Sequence, residues 1–252
     1  MKKKKNVVLV VVGILLLVCL YFGYKGFNLF YYYNVDRITT QDYDDFISQF
    51  TIKDTMTINH KNVESNDYLE YQNIKIRNDF KDFEKLEQTT GETSLKLILK
   101  DENEKTKSSF WMSVADTYVN LLKLDKSLFG TEDKRITNTD LANILEKNKI
   151  NNDIELFKYL EKQKDIKNNI FTSAKEMKEN YTIQFMVSVI MPQMDSITLI
   201  NGDYQGYIFN LKNNMKEVSI LKNGKRYVFM FLNTTYFTDE KINDLLNTIV
   251  IG

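Results

Sequence analysis

This 252-residue chain has one cysteine, one histidine, one proline and three alanines. The cysteine, Cys19, lies inside an apolar run near the N-terminus, so the rest of the chain can form no internal disulfide. With His60 as the single histidine, no Cys/His metal site can be assembled. There is no Pro/Gly/Ser-rich linker and no internal repeat. The glycines offer no phosphate loop. Gly202, Gly206 and Gly224 read as turn residues, no Lys-Ser/Thr pair follows them, and no parallel strand–helix unit surrounds them.

Aromatic residues make up 13% of the chain, hydrophobic residues 43% and charged residues 27%, a balance expected of a chain that buries a core. Formal net charge is zero but unevenly spread. Residues 1–30 carry five lysines and no acid, and the remainder holds 29 basic and 34 acidic residues. A mildly acidic domain lacks the clustered positive charge that nucleic acid requires, so no nucleic-acid partner is expected. The 30 lysines against 4 arginines and the 26 asparagines reflect A/T-rich codons. They point to a bacterial source, Gram-positive by expectation.

The N-terminus reads MKKKKNVVLVVVGILLLVCLYFGYKGF. Lys2, Lys3, Lys4 and Lys5 precede an uncharged run from Val7 through Leu16 to Tyr24. As a helix that run covers about 27 Å, close to a hydrocarbon core of about 30 Å. The expected organisation is a cytoplasmic tail over 1–5, a transmembrane helix over 6–24 and a juxtamembrane aromatic segment over 25–38. An extracytoplasmic domain follows over 39–252. The four lysines should stay in the cytoplasm, and Tyr21 and Tyr24 suit the far interface, where an apolar ring and a wet hydroxyl are both satisfied. Lys25 can extend its amine to the headgroups. A cleaved signal peptide would want a small-residue cleavage site, and residues 18–34 offer only Gly23 and Gly26 among bulky aromatics. A lipoprotein would want a small residue before Cys19, where Val18 stands. A buried core helix would not be led by four lysines.

Beyond the anchor, spacing predicts a helix over about 40–50, capped by Thr39 or Thr40, with Asp42, Asp44 and Asp45 in its first turn. Alternation predicts strands at Thr55–His60, Tyr68–Ile76, Leu95–Leu99 and Ser109–Val114, the last two joined by a charged hairpin loop. A helix over about 117–129 is expected from an Asp116 cap to a Gly130 stop. Two short amphipathic helices follow, one capped by Asn138 or Thr139, the other by Asn152 or Asp153. A longer helix over Phe171–Met191, starting at Thr172 or Ser173, is predicted next, although its second half from Ile183 also fits a buried strand. Two hairpins and a closing helix capped by Thr238 end the chain. Asn223-Gly224 suits a type I′ turn. The expected fold class is α+β: a mainly antiparallel sheet covered by helices, with a helical insertion at about 131–170.

The closing segments ITLINGDYQGYIFN, VSILKNGKRYVFMFL and TDEKINDLLNTIVI resemble the end of PsbP/Mog1-like domains. There, two hairpins and a terminal helix complete an antiparallel sheet. YLEYQNIKIRNDF at Tyr68–Phe80 is similar to their early strand, without the proline expected near Arg77. The resemblance covers about half of the exposed chain. It implies a fold, not an activity, and carries over no functional residue.

His60 is the one candidate catalytic residue, because its ring titrates near neutrality and Glu64 or Asp67 could orient it as a general base. The plainer reading is a strand-end histidine beside a polar turn. Ser109, Ser113 and Thr117 read as strand and cap residues. Asp101, Glu102 and Glu104, with Lys100, Lys105 and Lys107, read as a solvated hairpin tip. A carboxylate pair for glycoside hydrolysis needs a separation that only folded geometry reveals. Asp42, Asp44 and Asp45 lack the glycine and distal glutamate of a calcium loop. Trp111 and the Tyr and Phe residues read as core. No cofactor and no metal are expected. The leading expectation is a membrane-anchored, non-enzymatic binding or envelope-assembly module whose partners are the membrane and another envelope protein or ligand. A membrane-tethered hydrolase using His60 or an acid pair, and an immunity or stress-protection protein, are the alternatives.

Overall fold

The computed structural model describes residues 2–32, 51–60, 67–86, 94–125, 133–163, 166, 168–190, 194–211, 214–233 and 236–252. Helix α1, Lys2–Tyr31, runs unbroken past Tyr24, where the sequence places the end of the membrane segment. The juxtamembrane segment therefore begins as helix. At 1.5 Å per residue its 30 residues extend about 45 Å, more than a bilayer core. Among its described side chains, Val12–Tyr31 form a stretch long and apolar enough to cross a membrane. Only Lys25 is buried there, which removes the core-helix reading. The helix expected over 40–50 lies outside the described residues, as do Glu64, Gly130 and Pro192.

The domain is α+β, built on an eight-stranded sheet in the order β1-β7-β8-β9-β10-β6-β5-β4. Its strands are β1 (Ile52–Ile58), β4 (Glu84–Lys85), β5 (Ser94–Lys100), β6 (Thr106–Asp116), β7 (Met194–Gly202), β8 (Gln205–Leu211), β9 (Met215–Lys222) and β10 (Lys225–Leu232). All neighbours are antiparallel except β1 and β7, which run parallel. The hairpin signals were local. The parallel pairing was not, because β1 and β7 are more than 130 residues apart in sequence. The single strand expected over Tyr68–Ile76 is instead a hairpin, β2 (Tyr68–Tyr71) and β3 (Ile74–Arg77). Gln72 supplies the positive φ for the turn between them. With β11 (Val250–Ile251) they make a second, three-stranded sheet.

Five more helices lie among the described residues. These are α2 (Tyr118–Leu124), α3 (Asn138–Lys147), α4 (Asp153–Lys162), α5 (Ala174–Ile190) and α6 (Asp239–Leu246). Their caps shift two expectations and meet the others. Thr117, not Asp116, caps α2, and Asp116 is the last residue of β6. Thr137 caps α3 through a reciprocal box with Asp140, so Asn138 and Thr139 already lie inside the helix. Ser173 and Glu176 exchange the same pair of bonds at the start of α5. Asn152 caps α4, and Thr238 caps α6. Ile183–Ile190 is helical throughout, because α5 buries Ile183, Phe185, Met186, Val187 and Ile190 over the sheet. A helix apolar on most sides is what a two-sided burial demands.

Alternation assigns each strand residue to one of two cores. Tyr207 and Phe209 face α2–α5 together with Ile197 and Leu199. Ile208, Val218, Ile220, Phe229 and Phe110 face the other way, under α6 and the small sheet. The segment read as an insertion at 131–170 supplies fully buried Leu141, Leu156, Phe157 and Leu160 to the first core. Gly206 is not a turn glycine but lies within β8, where an added Cβ would stand 2.1 Å from the Ser219 carbonyl oxygen. Asn223 and Gly224 both have positive φ, as a type I′ turn requires.

Candidate functional site

The residues singled out from the sequence are scattered. His60 is exposed just beyond β1, and its backbone N–H, not its ring, donates to Asp203 Oδ2 at 2.7 Å. Asp67 is engaged elsewhere, in an ion pair with Lys81 at 2.9 Å and a hydrogen bond from Asn78 at 3.0 Å. Asp101 closes the β5–β6 turn by accepting from the N–H groups of Asn103 and Lys105, and Lys100 reaches Glu84 and Glu104, each at 2.9 Å. Ser108 donates to the Leu232 carbonyl, and Ser109 is buried in β6. Trp111 lies opposite Phe110 and Met112. The Lys96 ammonium sits 5.1 Å over its ring, and its indole N–H is buried without a hydrogen-bond partner among the described residues. Lys2, Lys3, Lys4, Lys5 and Val7 open α1, with Leu16, Tyr21 and Tyr24 exposed along it. Among the described residues no group of three His, Cys, Asp or Glu side chains converges as a metal ligand set.

Two polar clusters come together instead. The first joins β8, β9 and β10 to the helical layer. Asp153, fully buried at the first turn of α4, accepts from Val119 N–H at 3.0 Å and from the Tyr207 hydroxyl at 3.1 Å. It thereby satisfies free donors at the N-terminus of α2, where a carboxylate is also favoured by the helix dipole. Arg226 donates to the Asp116 carbonyl at 3.0 Å and to Glu217 at 3.3 Å, and packs 4.0 Å over the Tyr118 ring. Ser219 completes the set by donating to Glu217 at 3.2 Å. Desolvation raises both carboxyls. At Asp153 the Val119 and Tyr118 N–H groups oppose it, and at Glu217 the Arg226 charge does. Burial pushes the Tyr118 phenol up to about 12 and also raises Tyr207 well above its ordinary value. For Arg226, burial disfavours the charge, but the oxygens of Tyr207, Tyr118 and Glu217 outweigh it and the guanidinium stays protonated. Raised carboxyls suit a general acid. Here their donors are already supplied, and neither groove described below is lined by them.

The second cluster lies where α1 meets the domain. Asp133, buried, binds Arg135 through both oxygens at 3.0 Å and accepts from the Tyr181 hydroxyl. Burial alone would raise Asp133, but Arg135 and Tyr181 more than offset it and hold the carboxyl below the usual aspartate range. Arg135 continues to the Tyr31 carbonyl at 3.4 Å, and Asn168 donates to the Tyr32 carbonyl at 3.5 Å. These are the carbonyls that a helix C-terminus leaves without intrahelical donors, and positive charge is favoured there. The Tyr32 ring meets Tyr181, centroids 5.7 Å apart. Lys25 does not extend to open solvent. Its ammonium donates to the Thr172 carbonyl at 2.7 Å.

Two grooves open on the surface among the described residues. One of about 560 Å³ lies between α3 and α5, lined by Asp140, Asn143, Lys147, Lys175, Lys178 and Glu179. The ion pairs Lys147–Glu179 at 2.6 Å and Lys178–Asp140 at 2.8 Å cross it. The other, of about 450 Å³, lies between α6 and the β1–β7–β8 end of the sheet.

Sequence reading missed both clusters. Asp153 looked like a helix cap and Tyr207 like one more core aromatic. Glu217 and Arg226 are only 9 residues apart, but their pairing depends on the β9–β10 register. Compared with known proteins, the chain matches no family model and no curated sequence.

Proposed function

We propose that this chain is a single-pass bacterial membrane protein, with residues 1–5 in the cytoplasm and the α+β domain outside. The domain serves as a non-enzymatic binding or envelope-assembly module. The observation that carries this reading is the clasp on the end of α1. Lys25, Tyr31 and Tyr32 are held by Thr172, Arg135, Tyr181 and Asn168. A domain on a loose tether needs no such contacts. One that must present a fixed face at a set height above the bilayer does. The α3–α5 groove, with both charge signs on its walls, is the surface best suited to a charged protein segment.

Intact cells treated with external protease test the topology. Loss of a C-terminal tag, with the chain retained in alkali-washed membranes, is the expected result. A tag protected while surface controls are cut would overturn it. A photocrosslinking residue at Lys175 in the full chain tests the groove. A discrete, reproducible adduct absent from the same probe at Glu104 is expected, and identical patterns from both positions would count against binding there.

A further inference from the structure

One hydrogen bond fixes the height of a domain loop against the membrane helix. Side chains of an α-helix lean toward its N-terminus, so the Lys25 ammonium lies back along α1 and stands 5.8 Å from the Tyr21 ring centroid. The Thr172 carbonyl accepts from it at 2.7 Å. The turn at 169–172 is thus level with Tyr21–Lys25, the stretch at the outer edge of the apolar run. That turn is internally locked. Thr172 N–H donates to the Asn169 carbonyl at 3.0 Å, Asn169 N–H to Thr172 Oγ1 at 3.0 Å, and Phe171 N–H to Asn169 Oδ1 at 2.8 Å. At its tip Phe171 is 84% exposed. A phenylalanine held out by a rigid turn has a ring that the domain does not cover, and on the α1 stretch to which Lys25 ties that turn, Tyr21, Phe22 and Tyr24 are exposed as well.

We infer that Phe171 enters the phospholipid interface and makes the 169–172 turn a second membrane contact beside α1. The inference rests on the reading of α1 as a membrane span, but not on which side the domain lies. Water at this level gives way to headgroups and acyl chain ends, where an aromatic ring is favoured. The Lys25–Thr172 bond joins this contact to α1, so the helix and the turn would enter the lipid as one unit.

The test uses the full chain in vesicles of equal parts phosphatidylcholine and phosphatidylglycerol. An environment-sensitive thiol probe is placed at F171C in a C19S background, at E104C in the same background as a water reference, and on native Cys19 as a lipid reference. The expected result at 171 is blue-shifted emission, poor quenching by aqueous iodide and several-fold stronger quenching by shallow brominated lipid than at 104. If 171 behaves as 104 does while Cys19 reports lipid, the inference falls and the span stands. If both 171 and Cys19 report water, both fall. F171W in a W111F background, read with the same brominated lipids, checks the result without a thiol probe. Emission there that matches indole in water, with Cys19 in lipid, would again overturn the inference.

Discussion

Arg135 lies over the ring of Tyr181, its guanidinium carbon 4.5 Å from the centroid, while both residues bind the same carboxylate, that of Asp133. The cation, the ring and the acid form one unit at the end of α1. Arg135 also reaches the helix, through the Tyr31 carbonyl, and Tyr181 meets the Tyr32 ring that follows it.

Removing the acid should therefore be costly. Asp133→Ala leaves a largely buried guanidinium and a buried phenol without their shared acceptor. Destabilisation of about 2–4 kcal/mol is expected. Urea unfolding of the full chain in detergent micelles, followed by circular dichroism, measures it. Lys75→Ala, which breaks an exposed pair with Glu70, serves as the reference and should change stability by less than about 0.5 kcal/mol.

The pH dependence of the same cluster has a definite sign. The Asp133 carboxyl is held below its ordinary value of 3.8, so its contribution is present above that pH and disappears as pH falls through the lowered folded value. Asp133→Asn should differ most from the parent near neutrality and converge with it in strong acid. A difference that stays constant down to strong acid would refute the assignment.

Glu217 should behave in the opposite way. Desolvation raises its carboxyl above the ordinary 4.5, so the folded state holds the proton more tightly than the unfolded chain. The parent then loses stability as pH rises from the ordinary value through the raised one. Glu217→Gln has no such titration, and its stability relative to the parent should climb over that window. A flat difference between the two unfolding series would show that Arg226 fully offsets the burial.

In β8, Gly206→Ala should be among the most damaging small substitutions, because its Cβ would meet the Ser219 carbonyl at 2.1 Å. Overpacking against backbone has no flexible side chain to yield, and a loss of about 2 kcal/mol or more is expected. The melting temperature of the full chain in detergent reports it.

His60→Ala should leave stability within about 0.5 kcal/mol of the parent, since the bond to Asp203 uses the backbone N–H that alanine retains. Unchanged growth phenotypes in cells carrying the variant would remove the histidine from any catalytic role.

The sequence by itself determined the elements whose signals are local. Lys2–Lys5 and the apolar run marked α1, Asn223-Gly224 marked the β9–β10 turn, and Thr238 with Asp239 and Glu240 marked the start of α6. Each is a matter of a few adjacent side chains and the backbone between them. Tertiary structure decided what depends on distant partners. The β2–β3 hairpin turns at Gln72-Asn73, where no glycine announces it, and is held by β11 from the far end of the chain. The second half of α5 is helix because two-sided burial favours either structure, and contact with the sheet and neighbouring helices selects one. Both polar clusters lie beyond sequence reading for the same reason. Asp133 meets Tyr181, and Asp153 meets Tyr207, only after helices and strands far apart in the chain have packed. Burial, which gives those contacts their strength, is a property of the assembled layers and of no local stretch of residues.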